Sequence, residues 1–209
     1  LRWTDGEIRV YDGRHDLGFD WVWCLLRDRH DQIWAGSLGG GLARIGQGRV
    51  MERLTVEQGL HDNGIWSLLE DREGGLWVGG NGGGAARYRP GLFVNMGTDD
   101  GLGSGPYSAV CQGDDDSLWV GTWWDGCYRI KGDSVEHLTT ADGLPDDNIS
   151  ALCADGHGGM WVGTDNGGLA HLADNGAMTF LDTRHGLAHN QVYSVIYDND
   201  GILWVGSLG

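Results

Sequence analysis

The chain has 209 residues, 14 basic against 30 acidic side chains, and a net charge of −16. That balance repels phosphate backbones and sets nucleic acid aside as a partner, and no stretch approaches the roughly 18 apolar residues of a membrane span. The acid excess serves solubility first, with attraction for cations or basic partners as the sharper alternative.

The chain opens on Leu1, without an initiator Met or an export signal, and reads as an excised or processed segment. Residues 1–12 look like two short strands. From there a single phrase recurs: Ile33-Trp34-Ala35-Gly36, Leu76-Trp77-Val78-Gly79, Leu118-Trp119-Val120-Gly121, Met160-Trp161-Val162-Gly163 and Leu203-Trp204-Val205-Gly206. The tryptophans stand 43, 42, 42 and 43 residues apart. A fixed period of this size marks a repeat architecture, so chemistry is sought where one copy departs from the others.

Ahead of each Trp runs a segment constrained on both faces. It begins at Val22, Ile65, Tyr107, Ile149 and Val192. Small residues follow at Cys24, Ser67, Ala109, Ala151 and Ser194, and aliphatic ones at Leu25, Leu68, Val110, Leu152 and Val195. The pattern predicts a short strand covered on both sides. An acidic, glycine-rich turn such as Asp71 to Gly75 leads into the Trp strand. A second turn, such as Thr164-Asp165-Asn166-Gly167-Gly168, leads to a third strand, such as Leu169-Ala170-His171-Leu172. A fourth includes Val135-Glu136-His137-Leu138, and the copy ends in Gly59-Leu60, Gly101-Leu102, Gly143-Leu144 or Gly186-Leu187. The 39 glycines are therefore turn chemistry and not a flexible linker.

Four short strands per repeat predict an all-β fold, a β-propeller of five four-stranded blades of about 42 residues. One domain, 1–209, divides into blades at approximately 19–59, 62–101, 104–143 and 146–186. The last blade combines 190–209 with 1–15, closed by two N-terminal and two C-terminal strands. Its seam runs three residues short of the period, at the turn where Ser207-Leu208-Gly209 stands against Ser37-Leu38-Gly39-Gly40-Gly41, and a break costs least there. A piece of a larger propeller, or a ring completed by another chain, is the alternative. Cys24, Cys111, Cys127 and Cys153 occupy apolar slots and read as small buried hydrophobes, too far apart for disulfides.

The run from Asp142-Gly143-Leu144-Pro145-Asp146-Asp147-Asn148-Ile149 through Met160-Trp161-Val162-Gly163-Thr164-Asp165-Asn166-Gly167-Gly168-Leu169 resembles the two-component regulator propeller repeat. The resemblance extends over essentially the whole chain. It implies an extracytoplasmic, periplasmic sensing propeller of a bacterial sensor, typically ahead of a transmembrane helix and a histidine kinase, that detects small ligands, often carbohydrates. Family members carry more repeats than five, and the chain has neither kinase nor membrane segment, so signalling cannot occur in it alone.

Two groups of residues are site candidates. Asp20, Asn63, Asp147 and Asn190 stand fourteen residues before their tryptophans, with Gly105 in the third copy. They either cap their own turns or ring the channel mouth with polar groups. The third copy has Trp123-Trp124-Asp125 where others have Leu38-Gly39, Asn81-Gly82 and Asp165-Asn166, and Asp165 and Asn166 are rim candidates with them. Aromatics beside a carboxylate suit stacking on a sugar or gripping a peptide. The plainer reading packs them across a neighbouring loop or between chains. Trp21, Trp23, Trp66, Tyr107 and Tyr193 lie near the same end, and Trp23, Trp66 and Tyr193 share one slot that suits inter-blade packing.

His185 and His189 sit in a loop where helical spacing has no meaning, and the acidic turns lack a full calcium-loop pattern, so neither a metal nor a cofactor is expected. No catalytic constellation stands out. The reading is a non-enzymatic binding or sensor propeller with a small molecule or glycan on one rim. The alternatives are a scaffold that folds or self-associates without a ligand, and a lectin-like propeller. A propeller lyase or hydrolase would need clustered His, Glu or Lys on the rim, and the sole lysine, Lys131, falls in a turn expected to face away from it.

Overall fold

A computed structural model describes residues 2–4, 7–13, 17–198 and 200–208. The N-terminal hairpin is β1 (Arg2–Thr4) and β2 (Glu7–Arg9). The first four-stranded sheet is β3 (Val22–Arg27), β4 (Ile33–Ser37), β5 (Leu42–Gly46) and β6 (Arg49–Leu54). The second is β7 (Ile65–Glu70), β8 (Leu76–Gly80), β9 (Ala85–Arg89) and β10 (Leu92–Met96). The third is β11 (Tyr107–Gln112), β12 (Leu118–Thr122), β13 (Cys127–Lys131) and β14 (Ser134–Leu138). The fourth is β15 (Ile149–Ala154), β16 (Met160–Thr164), β17 (Leu169–Leu172) and β18 (Met178–Leu181). A last hairpin pairs β19 (Val192–Tyr197) with β20 (Leu203–Ser207).

Every sheet is an antiparallel meander in chain order, and the first strands pack in sequence: β3 on β7, β7 on β11, β11 on β15, β15 on β19. This is the propeller arrangement. The core lies between successive sheets. Trp34, Leu42 and Leu54 of the first meet Ile65, Leu76, Val78 and Tyr88 of the second. Trp119 and Cys127 of the third meet Ile149, Met160 and Val162 of the fourth. Burying one such Ile or Val stabilises by roughly 1.5–3 kcal/mol.

The recurring Trp-Val-Gly phrase has a packing reason. A Cβ on Gly36 would lie 2.6 Å from Ile65 Cγ2, and one on Gly121 would lie 2.5 Å from Ile149 Cγ2. The first residue of the next blade's inner strand sits directly on the glycine, so close approach excludes any side chain. The Gly-Leu endings close short 3-10 turns. Gly59, Gly101, Gly143 and Gly186 hold φ between 88° and 110°, a region open to glycine. Leu60, Leu102 and Leu144 beside them are buried.

Among the described residues four sheets have four strands each, and one two-stranded hairpin stands at either end of the series. Among the described residues no ladder joins β1–β2 to β19–β20, and each hairpin is a separate two-stranded sheet. Three-residue strands with no covalent turn to β20 offer few ladder bonds to offset the entropy of docking. Large apolar side chains are exposed at both ends of the arc. Trp204 is 61% and Leu25 66% accessible, against 4% for Trp34 and Trp119 inside it.

The four cysteines are free. Cys127 is buried, whereas Cys24, Cys111 and Cys153 are only partly buried, a correction to the expectation for those three. They lie on inner strands beside the next blade, where the Cys24 and Cys153 sulfurs reach Ile65 O and Tyr197 N. Among the described residues no helix is long and apolar enough to cross a membrane.

Candidate ligand-binding rim

Each inner strand begins with a register shift, at Val22/Cys24, Ile65/Ser67, Tyr107/Ala109, Ile149/Ala151 and Val192/Ser194. Trp23, Trp66, Ser108, Ser150 and Tyr193 therefore occupy bulges, which re-aim a side chain out of the pleat. Trp23 and Trp66 stack across the first two blades, with centroids 5.2 Å apart at 57°. The third blade has Ser108 at this place. Its aromatic comes instead from the next loop: Trp123 lies 5.5 Å from Trp66 at 59°. Three indoles thus form a continuous ladder over three blades, and Asn81 Oδ1 accepts the Trp66 indole N–H at 2.9 Å. Beside the ladder, Asp20, Trp21, Val22, Trp23 and Leu38 line a concavity of 320 Å3.

The loop carrying Trp123 keeps the frame of its neighbours. Thr122 Oγ1 donates to the Gly126 carbonyl at 2.9 Å, as Thr164 Oγ1 does to Gly168. Trp123 N–H donates to Pro106 O at 3.0 Å. Trp124 takes the place of Gly39 and Gly82, where a Cβ would meet nothing within 4 Å. The ring accordingly projects into solvent, 66% accessible. Its φ of 115° is strained for a residue with a Cβ, and such strain collects at functional positions.

Asp125 turns the other way, beneath the loop. Tyr128 Oη donates to its carboxylate, and Tyr107 Oη donates to Gly103 O. His137 stacks on Tyr128 with centroids 4.2 Å apart at 4°, and its Nε2 lies 2.7 Å from the Asp125 carbonyl oxygen, which can only accept. Burial and then the Asp125 charge push the Tyr107 phenol up to about 12. Burial, followed by the bond to Asp125, raises Tyr128 as well. Both phenols are neutral donors at physiological pH. Gly103, Tyr128 and His137 join Asp125 only through the fold, and no sequence signal marks them.

The polar residues of the rim are engaged by their own loops. Asp20 Oδ1 accepts Gly13 N–H at 2.9 Å, Asn63 Oδ1 accepts Val56 N–H at 2.9 Å, Asp147 Oδ1 accepts Thr140 N–H at 2.7 Å, and Asn190 Oδ1 accepts Thr183 N–H at 2.8 Å. Their backbone carbonyls reach the preceding blade: Gly41, Gly126 and Gly168 donate to Asn63, Asp147 and Asn190 at 2.9 Å. Asp165 is held by Gln191 of the next blade. Asn166 is exposed, and its backbone N–H donates to Asp146 at 2.9 Å. Of the nine candidates, Trp123 lies in the ladder, Trp124 follows it in the same loop, and Asp20 lines the concavity beside it.

At the opposite ends of the strands the repeat builds an ionic motif. The signature indoles of Trp34, Trp77 and Trp204 donate to Asp28, Asp71 and Asp198 at 2.9, 3.0 and 2.7 Å. Arg44, Arg87 and Arg129 lie over Trp34, Trp77 and Trp119 at 5.5, 5.6 and 5.5 Å. In the fourth blade His171 replaces Arg, stacks on Trp161 and takes Asp155 Oδ2 at 2.7 Å, and the Trp161 indole N–H is left without a partner. Burial works to raise the Asp71 carboxyl, but bonds from the Gly75 amide and Arg87 hold it below its ordinary value. A larger cavity of 390 Å3 lies here among Asp71, Arg72, Glu73, Trp77, Arg87 and Asp116, where Arg87 and Arg72 are paired with these acids. Among the described residues no group of three or more His, Cys, Asp or Glu is placed to hold a metal ion.

Three segments, residues 59–82, 143–166 and 186–209, match the family model described as two component regulator propeller. These segments, 72 of the 209 residues, are similar to repeats of that family. Among solved structures it is similar to the extracellular domain assigned to the hybrid two component system BT3049 of B. thetaiotaomicron, at 22% identity and a TM-score of 0.77 over 89% of this chain. It spans only 26% of that domain. The BT4673 extracellular domain of the same organism matches at 22% identity and a TM-score of 0.74, over 90% of this chain and 26% of that one. Virginiamycin B lyase from Staphylococcus aureus is similar at 17% identity and a TM-score of 0.70, over 89% of this chain and 62% of the enzyme. At these identities the likeness is one of fold. No curated protein matches the chain.

Proposed function

We propose that this chain is a non-enzymatic, ligand-binding propeller of sensor type, and that it takes a glycan or other small molecule with flat apolar faces on the ladder Trp23–Trp66–Trp123 and Trp124. The observation that carries this reading is the ladder itself. When the third blade gives up its bulge aromatic, a loop tryptophan fills the gap, and a fourth is held exposed beside it at strained φ. Each aromatic contact of this kind adds about 0.5–1.5 kcal/mol beyond its buried area. The extracellular domains it is similar to support an extracytoplasmic setting in which the propeller reports to a separate signalling module.

A thermal-shift screen of oligosaccharides and metabolites tests this, since a ligand of the folded state raises Tm. A hit should bind Trp123→Ala/Trp124→Ala at least tenfold more weakly, and mass spectrometry should recover it unchanged after incubation. Equal affinity for the double variant would remove the site, and a converted ligand would remove the non-enzymatic reading.

A further inference from the structure

Indole faces meet cations at one end of the strands and lack them at the other. At the ionic end Arg44, Arg87 and Arg129 already lie over Trp34, Trp77 and Trp119. Among the described residues no Arg or Lys stands over Trp23, Trp66, Trp123 or Trp124. The face of an indole is its negative side and attracts a cation placed on it.

The loops around the Trp66–Trp123 step carry charge of one sign. Residues 60–64, 81–84, 102–106, 123–126, 144–148 and 165–168 include Asp62, Asp125, Asp146, Asp147 and Asp165, and none of the chain's 14 Lys and Arg. Arg53 approaches this end at the first blade, against Gly18. Among the described residues no Arg or Lys pairs with any of the five carboxylates. They accept from neutral groups instead: backbone amides, Thr140, Gln191 and Tyr128, with His137 beside Asp125. Hydrogen bonds of this kind hold a carboxylate in place without cancelling its charge. Two of the five are tied to the ladder itself. Asp62 borders the loop of Asn81, which holds the Trp66 indole: a Cβ on Gly80 would lie 3.5 Å from Asp62 Cβ. Asp147 O accepts the Trp124 N–H at 3.4 Å, and Asn148 forms a β-bridge with Trp123.

We propose that the rim at Trp66, Trp123 and Trp124 takes a small organic cation, a free quaternary ammonium whose methyl groups lie on the exposed indole faces. This rests on the ladder as a ligand site and, within that reading, chooses a charged occupant over a neutral one. A quaternary ammonium keeps its charge under an apolar coat and suits an aromatic surface better than a strongly hydrated primary ammonium does. The uncompensated carboxylates concentrate cations at the loop and repel anions. A zwitterionic headgroup would bring its phosphate against the same acids.

Calorimetric titration at low ionic strength tests this with choline and its neutral carbon isostere, neohexyl alcohol. Choline should bind at least tenfold more tightly than the alcohol, and also more tightly than phosphocholine. Trp124→Leu keeps an exposed apolar side chain without the aromatic face, and should weaken choline at least fivefold and the alcohol less than twofold. Asp62→Asn keeps the acceptor for Gly64 N–H and should weaken choline alone, at least threefold. Equal affinity for choline and the alcohol, both lost in Trp123→Ala/Trp124→Ala, would keep the ladder as a ligand site and overturn its choice of a cation. Phosphocholine binding more tightly than choline would assign the site to zwitterionic headgroups and overturn the free cation. Choline binding that the double variant leaves unchanged would remove the proposal and the ladder site together. Absence of choline binding would overturn the proposal whatever neutral ligand the rim takes.

Discussion

The Asp125 carboxylate occupies the space above Gly103: a Cβ there would lie 1.8 Å from Asp125 Oδ2. Neighbouring blades reverse the arrangement. A Cβ on Gly167, the counterpart of Asp125, would lie 2.6 Å from Pro145, and one on Gly83 would lie 2.9 Å from His61. One of the two facing loops must yield, and the third blade exchanges which. Gly103→Ala should then destabilise by about 1–3 kcal/mol through overpacking. Adding Asp125→Gly should return most of that loss, a coupling of about 1 kcal/mol or more in a double-mutant cycle by urea denaturation. Additive losses would show that the two loops do not compete.

Trp124 sets stability against binding. Its φ of 115° and exposed ring predict that Trp124→Gly stabilises the protein by about 1 kcal/mol, read as a raised urea midpoint. The same change should weaken a rim ligand. A loss of stability would mean that the indole contributes packing that outweighs its strain.

The Asn and Asp staples should behave in the opposite way. Asn63→Ala and Asn190→Ala each remove the acceptor for a turn amide, and each should cost about 1 kcal/mol, as loss of a cap does. Affinity for a rim ligand should not change. A drop in affinity at unchanged stability would return these residues to the site.

Acid should weaken the fold through the ionic motif. Asp71 and Asp155 are held below the ordinary carboxylate value of 3.8. For Asp155, burial opposes this, and bonds from His171 and the His157 and Gly159 amides prevail. A carboxylate lowered in the folded state contributes stability that is complete above its unfolded pKa and is lost as pH falls through the folded one. Tm should therefore hold between about pH 5 and 8 and decline below about pH 4. Asp71→Asn should be less stable at neutral pH and show a shallower decline. A decline as steep as that of the unaltered chain would assign acid sensitivity elsewhere.

The blades were legible because their constraints are local and repeated. The glycine under Ile65 or Ile149 and the Gly-Leu caps recur at fixed offsets, and one period exposes them all. The sequence does not separate cap from site at Asn63, Asp147 and Asn190, because a staple seven residues away and a channel-lining group use the same side chains. The ladder was half visible. Trp23 and Trp66 share a slot, but Trp123 belongs to a different loop, and only the approach of blades brings it into line. The Asp125–Gly103 exchange left no signal, since a glycine and an aspartate are each unremarkable in such loops.

That exchange bears on how the array is inherited. Most positions of one copy could be exchanged for those of another, because the copies share the same strands and turns. Gly103 and Asp125 lie on either side of the β11–β12 hairpin. A crossover inside that hairpin would deliver one without the other. The result would be either two bulky residues in one space or an unfilled hole beneath the rim. Gly103 and Asp125 therefore have to change together, and this loop is the one that cannot be exchanged with a neighbour's a half at a time.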